Sequence, residues 1–293
     1  MVVQLQSGER LHYLRWDGPE ARPVVLVHGL TRTAWTWLPI GRRLASSRAV
    51  VAPDLRGHGA SDAPLSGYEL DSLALDVLTV VAGSGWGEAV DGPPVVVAGH
   101  GLGAMVAVEM AHQQPASVAA LVLVDAGWEE MQEATRMLPD QLVEAIADPP
   151  EVLESMDTYL ADRRAFDPAS WDADQETAAR AQVVEKHAGH LGLVTKGSVI
   201  RRTIGAMYDY QPLDALGTLD LPVSLLVAVS TTADDEDARE RALAIEDVQR
   251  ARARAGVPPM DVRRFDGAGH DLMRYRPDAV AADIERHAAD PAR

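Results

Sequence analysis

Between Val95 and Met110 the chain reads VVVAGHGLGAMVAVEM: a continuous apolar run, a glycine-rich turn and a helical pattern. Two chemistries are built on that plan. Gly99, Gly101 and Ala104 satisfy G-x-G-x-x-G/A, the turn that seats a dinucleotide pyrophosphate at a helix N-terminus. In that reading Asp125, which ends the next apolar run (LVLVD), is the carboxylate for a ribose hydroxyl. Gly99 and Gly103 equally satisfy the outer positions of G-x-S-x-G, the strained elbow that presents a nucleophilic serine. Position 101 is glycine, so the turn is kept and the attacking oxygen is missing.

The elements around the turn form a regular series. VVQLQ and RLHYLRW read as an opening hairpin around Ser7 and Gly8. PVVLVHG, AVVAPD, the run before the turn and VAALVLVD are short, continuously apolar strands, the mark of a mostly parallel sheet buried on both faces. WTWLPIGRRLAS and YELDSLALDVLTVVAGSG have helical spacing, so strand–helix alternation predicts a doubly wound α/β sheet. From Gly127 to about Leu216 the pattern turns helical and acidic, through DQETAARAQVVEKHAG, with no strand expected. VSLLVAVS, a helix from about Glu236 to Ala255, DVRRFDG and DAVAADIERHAA then resume the sheet. The expected organisation is a core of 1–126 and 217–293 interrupted by a helical cap of 127–216. Several sheet elements precede the glycine turn, whereas a dinucleotide turn normally follows the first strand of its domain.

Composition narrows the function classes. A chain of 293 residues with 47% hydrophobic residues can bury a large core. Its net charge of -17 argues against nucleic acid and anionic lipid as partners. Having no cysteine, it has no disulfide, thiolate nucleophile or Cys metal site. The charged, alternating N-terminus reads as a strand and not as a signal peptide, and no apolar run approaches a membrane span. The expectation is a cytoplasmic protein with a small-molecule partner and no metal. His187 and His190 could share a helix face as metal ligands, but no third ligand has matching spacing, so they read as solvated histidines.

Four patterns in order carry a resemblance: His28-Gly29 ending PVVLVHG, PDLRGHGASDAP after AVVAPD, the elbow, and GAGHDLMRYRP after the last strand. Together they resemble the α/β-hydrolase family, of the capped bacterial ester or lactone hydrolase type, over essentially the whole chain. The resemblance implies a cap after the sixth strand and no cofactor. It makes Gly101 the nucleophile position and His270 the general base, with the Leu30 and Leu102 N–H groups as the oxyanion hole. Such donors are worth ~3–4 kcal/mol each at a developing negative charge. The usual acid position follows the seventh strand, where Ala228 and Thr231 stand in place of Gly and Asp. Some capped members use the end of the sixth strand instead, which here is Asp125, and Asp234 is the other candidate. Asp54, Arg56, His58 and Ser61 read as a loop-holding network, and the His100 side chain should point away from Gly101. His28, Gly29, Trp35, Trp128, Met131, Tyr159, Met207 and Tyr208 are the candidates for an apolar substrate pocket, with core packing the competing role for most; Trp37 is a further such candidate.

Three functions fit these residues. One is an ester or lactone hydrolase whose serine has been replaced, lacking ordinary serine-hydrolase turnover. The second is an enzyme with a native glycine, in which His270 oriented by Asp125 works without a covalent intermediate, as a lyase, cyclase, isomerase or direct hydrolase. The third is a ligand-binding protein on the same scaffold. A nicotinamide oxidoreductase is the reading left by the dinucleotide turn.

Overall fold

The computed structural model describes residues 1–19, 22–86, 93–147, 155–187, 190–230 and 235–289. In chain order the strands are β1 (Val2–Gln4), β2 (Arg10–Trp16), β3 (Val24–Val27), β4 (Val50–Pro53), β5 (Val95–His100), β6 (Val118–Val124), β7 (Val183–His187), β8 (His190–Leu193), β9 (Val223–Val229) and β10 (Asp261–Asp266). The helices are α1 (Leu38–Leu44), α2 (Leu70–Gly83), α3 (Leu102–Gln113), α4 (Met131–Thr135), α5 (Pro139–Ala147), α6 (Met156–Phe166), α7 (Ala173–Ala181), α8 (Gly197–Tyr208), α9 (Pro212–Gly217), α10 (Asp235–Ala255), α11 (Leu272–Tyr275) and α12 (Pro277–Ala288).

Eight strands make one sheet in the order β1-β2-β4-β3-β5-β6-β9-β10. The β1–β2 hairpin and the β2–β4 pair are antiparallel, and every pair from β4 to β10 is parallel. Strands β3, β4 and β5 are buried at every position, because helices cover both faces. Their side chains alternate between two cores, as the two-residue period of a strand requires. Val25, Val27, Val51, Val97, Leu121 and Leu123 pack on one face with Leu73, Val77, Met105 and Val108 of α2 and α3. Val24, Leu26, Val50, Val96 and Val122 pack on the other with Trp37, Ile40, Val280 and Ile284. Trp37 is therefore core and not pocket.

The chain leaves β3 for β4 on one side and returns to β5 on the other, so the loops after β3 and β5 diverge. Ligand sites of open α/β sheets form in such a crevice at the carboxyl ends of the strands.

The insertion between β6 and β9 carries α4 to α9. Helices α5 and α8 join through Leu142, Val143, Ile200 and Ile204. Ser155 and Asp172 accept N–H groups at the starts of α6 and α7, supplying partners that a helix N-terminus lacks. One expectation fails here. Val183–His187 is not helical: it forms β7, which pairs antiparallel with β8 after α7 closes at Gln182. Val183 is buried at 7% exposure beside Tyr159 and Leu160, while Val184 is 46% exposed, the inside–outside alternation of a strand. His187 and His190 face each other as paired strand residues, so they share no helix face. Among the described residues no helix is long and apolar enough to cross a membrane.

Candidate active site

Gly101 sits between β5 and α3 with φ 56° and ψ −123°, a conformation that costs an L-residue free energy and that glycine adopts without strain. The glycines beside it are there for closeness. A Cβ on Gly99 would meet the Gly103 carbonyl oxygen at 2.1 Å, and one on Gly103 would meet that of Val27 at 2.1 Å. Strand and helix thus pack backbone to backbone, as an elbow demands. A Cβ on Gly101 itself would find room, with Gly29 Cα at 3.5 Å and His270 Nε2 at 3.6 Å as its neighbours.

His270 lies in the loop between β10 and α11, with its side chain 55% exposed. Its Nδ1 is 2.8 Å from Oδ2 of Asp125, so Nδ1–H donates to the carboxylate and Nε2 is left facing the Gly101 turn. Asp125 is buried at the end of β6, itself at φ 50°. Its Oδ1 accepts the Ala228 N–H at 2.9 Å and an Arg241 guanidinium N–H at 2.7 Å. Burial alone would raise this carboxyl, but the hydrogen bond and charge of His270, together with Arg241, hold it below the usual carboxylate range. Every oxygen of Asp125 is thereby engaged within the protein, which leaves it unsuited to a ribose and removes the support for the dinucleotide reading. Asp234 and Thr231 lie outside the described residues.

The N–H groups of Leu30 and Leu102 have no acceptor among the described residues. Leu102 opens α3, where the first N–H groups have no intrahelical partner. Leu30 follows Gly29, whose Cα borders the same space as His270 Nε2. His28 does not line a pocket: it is fully buried, its Nδ1–H donates to the Gly29 carbonyl at 2.8 Å and its Nε2 accepts the Leu55 N–H at 3.0 Å. Burial lowers its pKa and keeps it neutral, which suits this one-donor, one-acceptor pattern. It fixes the turn after β3 to the loop after β4. That second loop is held by Asp54, which accepts from His12 and from the Ala34 and Ala60 N–H groups at 2.7–3.0 Å. Arg56 grips Asp76 through two bonds of 2.6 Å, and Ser61 donates to the Asp54 carbonyl.

A cavity of about 930 Å³ opens onto Gly101, Asp125 and His270. Of the sequence-proposed lining, Met131 and Met207 border it, joined by Met105, Ala126 and Leu243. The other candidates lie elsewhere. Trp128 is buried beneath Arg241, whose guanidinium lies 4.9 Å from the ring centre. Tyr159 borders a separate cavity of about 180 Å³ between α6, α7 and Arg32. The Tyr208 hydroxyl donates to the Met137 carbonyl at 2.8 Å, turning it into the insertion. Trp35 borders neither cavity. The walls are also less apolar than expected, because Glu129, Glu133, Arg136, Asp237, Glu240 and Arg241 stand among them. Arg136 pairs with Asp237 and Glu240, and Arg241 with Asp125 and Glu129.

Sequence reasoning missed these charged walls, since Arg241 looks like any other arginine of a long charged helix. It also set His100 aside. Strand alternation does send that ring away from Gly101's Cβ direction, yet it comes to rest against His270, with ring centres 4.3 Å apart. Its Nε2–H donates to the His270 carbonyl at 3.1 Å. Burial first, then the neighbouring His270, pushes the His100 pKa down to about 3, so it supports His270 as a neutral ring.

Comparison with known proteins agrees with this architecture. The family model described as "Alpha/beta hydrolase family" matches residues 24–283. An uncharacterized protein of Mycobacterium tuberculosis (strain ATCC 25618 / H37Rv) is 37% identical over 107 residues, 36% of this chain; the match spans only 29% of that protein. A putative carbamate hydrolase of Variovorax paradoxus is 30% identical over 75% of this chain and 77% of its own. Among solved structures, an E-2-(acetamidomethylene)succinate hydrolase superposes with a TM-score of 0.78 at 20% identity, covering 98% of both chains. The enol-lactonase of Burkholderia xenovorans LB400 does so with a TM-score of 0.67 at 17% identity, over 98% and 99%. At such identities the structures speak for the fold, while the family match spans most of the sequence: this chain belongs to the alpha/beta hydrolase family.

Proposed function

We propose that the protein is an ester or lactone hydrolase scaffold in which Gly101 occupies the nucleophile position, with His270 as general base, Asp125 as its acid partner and the Leu30 and Leu102 N–H groups as the oxyanion hole. Residues 1–126 and 217–293 form its core and 127–216 its cap. The substrate is a small to medium molecule seated against Met131 and Met207. The chain as written lacks turnover through an acyl-enzyme, because no side chain at 101 can attack. The observation that carries this reading is the 3.6 Å between His270 Nε2 and a Cβ built on Gly101: a serine there would bring its hydroxyl within hydrogen-bond reach of the base. Ester and lactone hydrolases among the structural neighbours support the substrate class.

The test is hydrolysis of short p-nitrophenyl esters by this chain and by Gly101→Ser, with His270→Ala in each background. A gain of orders of magnitude in Gly101→Ser that vanishes without His270 supports the proposal. A silent Gly101→Ser overturns it. It would favour a second reading, in which His270 abstracts a proton or activates water without a covalent intermediate. The assembled His270–Asp125 pair beside an empty Gly101 tip is the observation behind that alternative, and its general-base contribution is ~100 to 10,000-fold.

A further inference from the structure

Arg241 has a position that a solvent-facing arginine of α10 would not need. Its Nη2–H donates to Asp125 Oδ1 at 2.7 Å, its Nη1–H to the Ala228 carbonyl at 2.9 Å, and its Nε–H to Glu129 at 3.3 Å, while the guanidinium plane lies over the Trp128 ring. All three nitrogens are thus used, on three different segments: the end of β6, the end of β9 and the start of the insertion. Asp125 stands at the end of β6, with His270 on one side of its carboxylate and Arg241 on the other. Its Oδ1 is held by two donors, the Ala228 N–H at 2.9 Å and Arg241 at 2.7 Å, and without the arginine the carboxylate keeps a single anchor against rotation away from His270.

We infer that Arg241 is a positioning residue of the candidate site: it locks Asp125 in the rotamer that receives His270 Nδ1–H. The inference rests on the roles proposed above for Asp125 and His270. The other groups around His270 are Asp125, the neutral ring of His100, and Asp271, which is paired with Arg32 at 2.6 Å. Glu129 shares the Arg241 fork and is pushed up by burial despite it.

The experiment follows the His270 Nδ1–H resonance by NMR in the full chain, in Arg241→Met and in Arg241→Lys, with thermal melts to verify folding. Arg241→Met is expected to broaden that resonance and move it upfield, because the carboxylate loses the rotamer that receives the proton. Arg241→Lys, which keeps the charge but not the fork, is expected to leave the resonance broadened. An unchanged resonance in a folded Arg241→Met overturns the proposal. In the Gly101→Ser background, Arg241→Met is expected to lower kcat about 10-fold or more with KM little changed. If Gly101→Ser is inactive, the functional reading fails, while the resonance still decides the role of Arg241.

Discussion

Nε2 of His270 lies 3.6 Å from the place a Cβ would take on Gly101, beside the Gly29 Cα at 3.5 Å. A Cβ at 101 therefore meets no clash, and its cost is in the backbone. With φ at 56°, both Gly101→Ser and Gly101→Ala are expected to lower stability by about 1–2 kcal/mol. Urea unfolding of the three proteins checks this. Equal loss in Ser and Ala identifies backbone strain; a much larger loss would mean that the turn is blocked.

The cavity walls make a prediction about size selectivity. In the Gly101→Ser background, Met207→Trp or Met131→Trp is expected to shift preference toward shorter acyl chains by about 10-fold, since each fills space that the substrate would occupy. Tyr159→Ala, in the separate small cavity, is expected to leave the chain-length profile unchanged. Hydrolysis rates across a series of p-nitrophenyl esters compare them. A profile moved by Tyr159→Ala alone would relocate the substrate.

Arg56 and Asp76 form a two-bond ion pair with side chains only 14% and 3% exposed. Removing one partner strands the other charge away from water. Asp76→Ala is expected to cost about 3–5 kcal/mol, read as a lower denaturant midpoint, whereas Asp62→Ala, whose Arg10 partner is 68% exposed, should move the midpoint little.

His58 gives stability a pH dependence. Burial, with His28 adding to it, lowers its pKa to about 3, below the value of the unfolded chain. Between about pH 6.5 and about 3 the unfolded state binds a proton that the folded state refuses. Its contribution is complete above pH 6.5 and is lost as pH falls, by up to about 1.4 kcal/mol per pH unit. Denaturation at pH 7, 5.5 and 4.5 should show a shallower decline in His58→Leu than in the parent chain; parallel slopes would place the proton uptake elsewhere.

Much of this was legible because buried parallel strands are short apolar runs and because elbows, strand-end acids and late histidines are set by local backbone needs. Gly101, Asp125 and His270 could be named from their places after β5, β6 and β10. Other features depended on partners distant in sequence. Val183–His187 gives five residues to a strand and reads as the tail of α7 until the facing strand is known. Trp128 and Tyr208 look like pocket residues but are claimed by Arg241 and the Met137 carbonyl. Arg241 itself earns its meaning only from Asp125, 116 residues away.

Strand β10 lies at the margin of the sheet, pairs among the described residues only with β9, and is exposed or half-buried along its length. The three key positions are thus unequally tethered: Gly101 and Asp125 hang from interior strands, His270 from the rim. Rim strands open at lower free energy than the interior. In dilute denaturant, peeling of that one strand would withdraw the imidazole while the elbow and carboxylate stood intact. On the roles proposed for these residues, the His270–Asp125 contact is accordingly more fragile than the fold, and the two should melt apart.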